Sequence, residues 1–449
     1  MTKDRYDVLI LGGGNAGIGV TVPTRAAGLE VALVESWVLG GTCANRGCTP
    51  KKVLVAAAHA LHEIERAKVH GIAVGAPRLD WGALIAREKN MISHLPAAFA
   101  DTLARRGVEV LRGEAAFVAP HAVRVDGRTI EAEHIVIATG STPRRLPFPG
   151  AEHMITSDEV LSEPDLPRDV VFIGGGVIAL EFGHVYARAG AHVTTLEVLP
   201  RLLPAMDQEA VAQIRVESER IGIRVQTGVT VKRIDKGERL QVVFEHDGAE
   251  QTIEAERVVN GAGRVANVDG LDLEAGRIRH ERGRIATDPF LRSTTNPSVY
   301  VCGDVLATSP QLSPIATYEG QIVGRNIVEG PKHEPDYASI PSCVYTVPTL
   351  ASVGLTEAAA REKGHKIKVY VNDMIDWLSS RTYAETAAWV KVLVDETNDR
   401  ILGAHMVGHS SEELIHIFAF AIAHRITASQ IRDKVYAFPT FSADIKSMV

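Results

Sequence analysis

The sequence predicts an α/β protein with two doubly wound domains, each built on a βαβ unit, followed by a third α/β region. Three observations carry this. The apolar run YDVLIL at 6–11 leads into GGGNAG at 12–17, a helical stretch to about Gly28, and a second strand, EVALVE, ending at Glu35. The pattern returns in DVVFIGGGVIALEFG at 169–183, with a helix to about Gly190 and the strand AHVTTLE ending at Glu197. A third region begins near Pro335 and reads as strands followed by helices, the last in SSEELIHIFAFAIAHR, whose apolar residues are spaced for one face. Short apolar runs alternating with helix-period stretches are the pattern of parallel strands covered by helices. The charged, proline-bearing segment SEPDLPRD at 162–169 reads as a hinge between the two units.

Composition narrows the function. With 449 residues the chain holds several domains, and 48 basic against 55 acidic residues leave a net charge of −7. Neither that balance nor any basic stripe offers a footprint for nucleic acid. No apolar run reaches the ~20 residues needed to span a bilayer. Residues Met1 to Asp7 run straight into an apolar strand, so no secretory leader is expected and the expected location is the cytoplasm. Four cysteines, Cys43, Cys48, Cys302 and Cys343, are too few to staple a secreted fold.

The glycine loops carry the first chemical signal. Gly12-x-Gly14-x-x-Gly17 lies between a strand and a helix. The first glycine permits the turn, the second lets a pyrophosphate approach the backbone, and the third lets helix pack on strand. The helix N-terminus then offers free N–H groups and a positive dipole end. Glu35, 23 residues beyond Gly12, ends the second strand, where a carboxylate can accept from ribose hydroxyls. Gly174-x-Gly176-x-x-Ala179 repeats the pattern, with Glu197 again 23 residues on. A carboxylate there repels a 2′-phosphate, which favours NADH; Arg201 keeps NADPH possible.

The second signal is GGTCANRGCTPKK at 40–52, with Cys43 and Cys48 five apart. In a regular helix such residues have Cα atoms roughly 8–9 Å apart, whereas a disulfide needs about 4.4–6.8 Å. The pair closes only across an irregular turn, which Gly47 permits. A thiolate at a helix N-terminus is also stabilised and reactive. The bland reading is two packed thiols. A zinc site needs further ligands, and no second cysteine pair exists. No metal site is expected: Cys302 and Cys343 are read as packed small residues, and the cluster His405, His409, His416 and His424, spaced first as in a strand and then as in a helix, is not read as a metal site.

GGTCANRGCTPKK behind a dinucleotide fold resembles the redox-active disulfide segment of the flavoprotein pyridine nucleotide-disulfide oxidoreductases, the group that includes glutathione reductase, dihydrolipoamide dehydrogenase and mercuric reductase. The resemblance covers essentially the whole chain. IVIATGSTP at 135–143, with Thr139 and Gly140, looks like the crossover between FAD and NAD domains. TNPSVYVCGDV at 295–305 looks like the second flavin motif, in which Asp304 would bind the ribityl chain. VNGAGRVAN at 259–267, with Gly263, looks like the end of the NAD domain, and IPSCVYTVPTLASVGLT at 340–356 like the start of a dimer-interface domain. The implied division is 1–150 and 269–334 for the two parts of an FAD-binding domain, 151–268 for an NAD(P)-binding domain and 335–449 for a dimerisation domain. A homodimer is implied, in which the C-terminal segment of one subunit completes the other's site. Cys48 is then the thiol nearest the flavin, Cys43 the interchange thiol, and Lys52 lies near flavin N5, paired with Glu181. The bland reading of Lys52 is a solvated helix lysine.

The C-terminus departs from the family pattern His-Pro-Thr-x-x-Glu, whose His/Glu pair moves the proton of the interchange thiol. This chain has Phe438-Pro439-Thr440-Phe441-Ser442-Ala443. Phenylalanine at the catalytic position cannot transfer a proton. The expected function is an FAD-dependent NAD(P)H oxidoreductase passing electrons to Cys43–Cys48 and on to a disulfide, a metal ion or another thiol-reactive acceptor. The alternatives are a carbon–sulfur-cleaving enzyme resembling the 2-ketopropyl-coenzyme M carboxylase, which also replaces the histidine by phenylalanine, and a flavin-based redox sensor with little turnover.

Overall fold

The structure, a computed structural model, describes residues 3–449; Met1 and Thr2, which open the expected leaderless start, lie outside the described residues. The chain forms two compact units. One comprises Met1–Lys51, Ala86–Arg144 and Gly263–Pro335; the other comprises Lys52–Ile85, Arg145–Ala262 and Asp336–Val449. The expected α/β class holds in each. The four-part division read from the sequence remains a domain proposal, and the compact units draw residues 52–85 into the second unit.

In the first unit the strand Arg5–Leu11 runs parallel to Val31–Glu35 on one side and to Arg128–Ile137 on the other. Glu109–Arg112 extends the sheet beyond Val31–Glu35, and Val299–Val301 pairs with Arg128–Ile137. Val8, Leu9 and Ile10 are fully buried, as expected of a central parallel strand covered on both faces. The helix Asn15–Ala26 meets the helix Ser313–Glu329 at very close range. A Cβ added at Gly320 would lie 2.1 Å from the Ala16 carbonyl oxygen, so no larger residue fits this crossing.

In the second unit Arg257–Asn260, Asp169–Ile173, His192–Glu197 and Arg224–Thr227 form a four-stranded parallel sheet. A three-stranded antiparallel sheet follows over residues 230–255. The C-terminal residues build a five-stranded antiparallel sheet in the order Ser342–Val344, Thr349–Gly354, Ile401–Gly408, Trp389–Asp395, Ile367–Asp373. The amphipathic helix Ser411–Ala423 buries Leu414, Ile415 and Phe418 in the core shared with that sheet. The closing helix Phe441–Met448 is capped by Thr440, whose hydroxyl accepts from the Ala443 N–H at 3.1 Å.

Lys391 joins parts of the second unit that are distant in sequence. Its side chain is 3% exposed and its ammonium lies 3.4 Å from Asp207, 3.0 Å from Glu209 and 3.1 Å from Glu357. Lys391→Met leaves buried Asp207 without its cation. Removing one member of a buried pair costs about 3–5 kcal/mol, so the urea midpoint of the variant is expected to fall clearly. An unchanged midpoint would show that the remaining hydrogen bonds of Asp207 suffice.

Candidate functional site

The carboxyl end of the parallel sheet in the first unit opens on a cavity of about 390 Å³. Gly12, Gly14, Glu35, Cys43, Thr139 and Asp304 line it, together with Cys48 and Gly140. Its glycines divide into two kinds. Gly12 has φ +115°, and a Cβ there would sit 2.3 Å from the Ala138 carbonyl oxygen; one at Gly17 would sit 2.0 Å from the Gly12 oxygen. Packing alone forces those two. Gly14 has φ −84°, open to any residue, and a Cβ there meets only the Gly41 Cα at 3.8 Å. Nothing in the protein requires glycine at 14. Its bareness leaves the helix N-terminus open to the cavity, which suits a ligand that presses on the backbone.

The polar groups around this cavity suit a dinucleotide. Glu35 accepts from the Gly13 N–H at 2.8 Å and the Trp37 N–H at 2.7 Å, which fixes its carboxylate at the rim. The Thr139 hydroxyl is buried and has no protein partner. Burial pushes the Asp304 carboxyl above its usual range, against the opposing Arg264 guanidinium and the Ser141 hydroxyl 3.5 Å away. A buried hydroxyl and a buried carboxyl facing a cavity call for a polar, hydroxyl-bearing partner. The residues therefore fit FAD: Gly14 and the helix start would hold the pyrophosphate, Glu35 the ribose and Asp304 the polyol chain.

The two cysteines stand on either side of a helix break. The helix Gly41–Arg46 stops at Gly47, and Cys48 opens the helix Cys48–Arg66. Gly47 has φ −140°, so glycine is needed there for room rather than for handedness: a Cβ would lie 2.9 Å from the Thr42 oxygen. Cys43 and Cys48 are not joined to each other in this structure. A hydrogen bond from Cys48 draws the Cys43 thiol down to about 6, against burial and with help from Ser313 and Asn15. Asn15 Nδ2 also donates to the Ser313 hydroxyl, tying together the first residues of two helices. Cys302 and Cys343 contrast sharply: burial raises Cys302 well above the ordinary thiol and Cys343 to about 12. An acid loses its proton as pH rises through its pKa, so Cys43 is a thiolate at neutral pH and the other two are thiols. Alkylation of the reduced protein by iodoacetamide should accordingly rise through pH 6 and label Cys43 ahead of Cys302 and Cys343. Asn15→Ala combined with Ser313→Ala should move that rise toward the ordinary value of about 8.5; an unmoved profile would exclude these residues as its cause.

Lys52 and Glu181 both lie in the second unit, where they converge on Tyr345. The Lys52 ammonium stands 3.7 Å above the Tyr345 ring, and Glu181 accepts from the Tyr345 N–H at 2.8 Å. In the second glycine loop Gly174 has φ +105°, with a Cβ position 2.4 Å from the Gly261 oxygen, whereas a Cβ at Gly176 meets only that oxygen at 3.5 Å. Ala179 is buried, as close helix–strand packing requires. Glu197 accepts from the Gly175 N–H and, at 2.7 Å, from the Leu199 N–H, repeating the arrangement of Glu35. Gly263 has φ +93° with open space around its Cβ position. Phe438 is 74% exposed, and Ala443 is buried.

Sequence reasoning missed Asn15, Ser313 and Arg264. Asn15 occupies a variable place in the glycine pattern, and Ser313 lies 298 residues beyond it. Only the serine-proline start of a helix at 313–314 could have flagged the second of these.

Comparison with known proteins agrees with this geometry. The pyridine nucleotide-disulphide oxidoreductase family matches residues 6–320, and its dimerisation domain matches residues 340–449. Dihydrolipoyl dehydrogenase of Chlorobaculum tepidum is 34% identical over 98% of this chain and 96% of its own length. Glutathione reductase of Burkholderia cepacia is 31% identical over 100% and 99%, and mercuric reductase of Staphylococcus aureus is 29% identical over 98% and 81%. Among solved structures, the Cu(II) complex of the HOCl-induced flavoprotein disulfide reductase RclA from Escherichia coli superposes with a TM-score of 0.88 at 28% identity, covering 99% of each chain. The chain belongs to the pyridine nucleotide-disulphide oxidoreductase family. It is an NAD(P)H-dependent flavoprotein oxidoreductase that uses FAD, and its dimerisation domain supports a homodimer. No helix among the described residues is long and apolar enough to cross a membrane.

Proposed function

We propose that this chain is a cytoplasmic NADH-dependent reductase of small disulfides, in which Cys43 attacks the acceptor and Cys48 resolves the mixed disulfide. One observation carries this reading: the Cys43 thiol is drawn down to about 6, while Cys302 and Cys343 are raised, and it shares the cavity lined by Gly14, Glu35 and Asp304 with its neighbour Cys48. A thiolate is the nucleophile in thiol–disulfide exchange, and one whose pKa lies near ambient pH combines ionisation with nucleophilicity. Bound FAD supplies the two-electron link between nicotinamide and dithiol. Lys52 and Glu181, converging on Tyr345, are the pair proposed to set the charge beside the flavin ring. Glu197, fixed by two backbone N–H groups, disfavours a 2′-phosphate, while Arg201 is occupied by the Pro204 carbonyl at 2.5 Å.

The test is steady-state oxidation of NADH and NADPH by the FAD-loaded protein with glutathione disulfide, 2-hydroxyethyl disulfide, Hg(II) or a quinone as acceptor. Disulfides should be reduced at about 1 s⁻¹ or faster, the lower end for enzymes, and NADH should be preferred. Turnover confined to the metal ion or the quinone would overturn the disulfide reading, and a clear NADPH preference would overturn the role given to Glu197.

A further inference from the structure

A second constellation of chemical groups lies in the dimerisation domain, outside every position so far given a role. His409 follows the strand Ile401–Gly408, and its Nδ1 lies 2.9 Å from Glu385 Oε1. The Glu385 side chain is 2% exposed and that of His409 is 31% exposed. Arg66 donates to the same Glu385 oxygen at 2.5 Å and to the Tyr383 carbonyl at 2.7 Å, and Glu63 neutralises its far side. Burial works to raise the Glu385 carboxyl, but the hydrogen bonds from His409 and Arg66 outweigh it and hold it below its usual range. A buried carboxylate on Nδ1 orients an imidazole and sets its tautomer. Nε2 is left without a protein bond among the described residues, and it is not among the buried polar atoms.

The ring is mounted on the C-terminal segment itself. His409 stacks on Phe441 with centroids 4.5 Å apart and planes at 14°, and Tyr383 closes the other contact at 5.1 Å. Phe441 is three residues past Phe438, within about 11 Å along the chain. The segment whose sequence lacks an ionisable pair at Phe438 and Ala443 therefore carries a histidine–carboxylate pair against its next turn.

We propose that His409, oriented by Glu385, is the acid–base group for the acceptor sulfur in this protein, replacing the function absent at Phe438 and Ala443. This rests on the disulfide reading above. In this proposal the pair, which lies in the segment matched by the dimerisation domain, residues 340–449, is set opposite the dithiol of a second copy of the chain. The Cys43 thiolate attacks one acceptor sulfur, forming a mixed disulfide. The acceptor S–S bond breaks, and the leaving sulfur takes the electron pair and the His409 Nε2 proton. The Cys48 thiolate then displaces the second sulfur from Cys43, closing the Cys43–Cys48 bond; that sulfur takes a proton that solvent has returned to the same imidazole. The dithiol's two electrons thus pass to the acceptor.

The experiment uses the FAD-loaded dimer, reduced with NADH and mixed with either of two disulfides. 2-Hydroxyethyl disulfide releases a basic alkyl thiolate that needs a proton; 5,5′-dithiobis(2-nitrobenzoate) releases a stable aryl thiolate that does not. His409→Asn preserves a hydrogen bond to Glu385 but carries no titrating proton. It should slow the alkyl disulfide on the order of 10²-fold and the aryl disulfide by no more than about threefold, because general acid catalysis matters only for the basic leaving group. His409→Gln serves if the asparagine variant fails to retain FAD, and Glu385→Gln should shift the pH profile of the alkyl reaction alone. Equal effects on both disulfides, or none, would overturn the proposal and assign the pair to packing. A wild-type protein that reduces neither disulfide overturns the acceptor reading instead, and this proposal with it.

Discussion

Cys43→Ser is expected to reduce disulfide turnover on the order of 10⁴-fold or more, the usual consequence of removing an attacking nucleophile. A serine hydroxyl can neither ionise near neutral pH nor form a disulfide. Cys48→Ser should behave differently. Cys43 remains able to attack, so each subunit should release one equivalent of acceptor thiol and then stop as a mixed disulfide, with no second sulfur to resolve it. A burst of one equivalent in Cys48→Ser and none in Cys43→Ser gives the order of attack. The reverse pattern would exchange the two roles. Continued turnover in both variants would remove the dithiol from the route to the acceptor and favour a direct reaction at the flavin.

Gly14→Ala should strip the protein of flavin without unfolding it. The added methyl meets only the Gly41 Cα at 3.8 Å, and the backbone at 14 already has an ordinary φ of −84°. Its only victim is the ligand that approaches this backbone. Losing about two charge-assisted hydrogen bonds, each worth ~1.5–3 kcal/mol, weakens FAD binding by roughly 10²–10⁴-fold. Gly17→Ala is the control of opposite kind. Its methyl would lie 2.0 Å from the Gly12 oxygen, so the unit itself should be destabilised. If Gly14→Ala keeps its full complement of FAD, the pyrophosphate does not lie on this loop.

What was legible in the sequence is what depends on neighbours along the chain. The strand–glycine–helix–strand–acid pattern needs only some two dozen residues in order, and both Glu35 and Glu197 stand where it places them, bonded to the backbone of their own loops. The Cys43–Gly47–Cys48 break is equally local, and Gly47 leaves room there beside Thr42. The groups that tune the site are not local. Ser313 reaches Cys43 across most of the chain, and His409 finds Glu385 24 residues away and, through it, Arg66, 319 residues from Glu385. Such pairs exist only after strands and helices have been assembled, and no period or spacing encodes them. In the sequence His409 is one of four clustered histidines, and nothing in their spacing points to the buried carboxylate of Glu385 or to the stacking on Phe441.

The measurement that tests the central claim most directly is an anaerobic titration of the oxidised, FAD-loaded protein with NADH, with thiols counted at each step. If electrons reach the dithiol, two new thiols per subunit should appear, alkylation should place them at Cys43 and Cys48, and neither Cys43→Ser nor Cys48→Ser should gain them. Complete bleaching of the flavin with no new thiols would contradict the account.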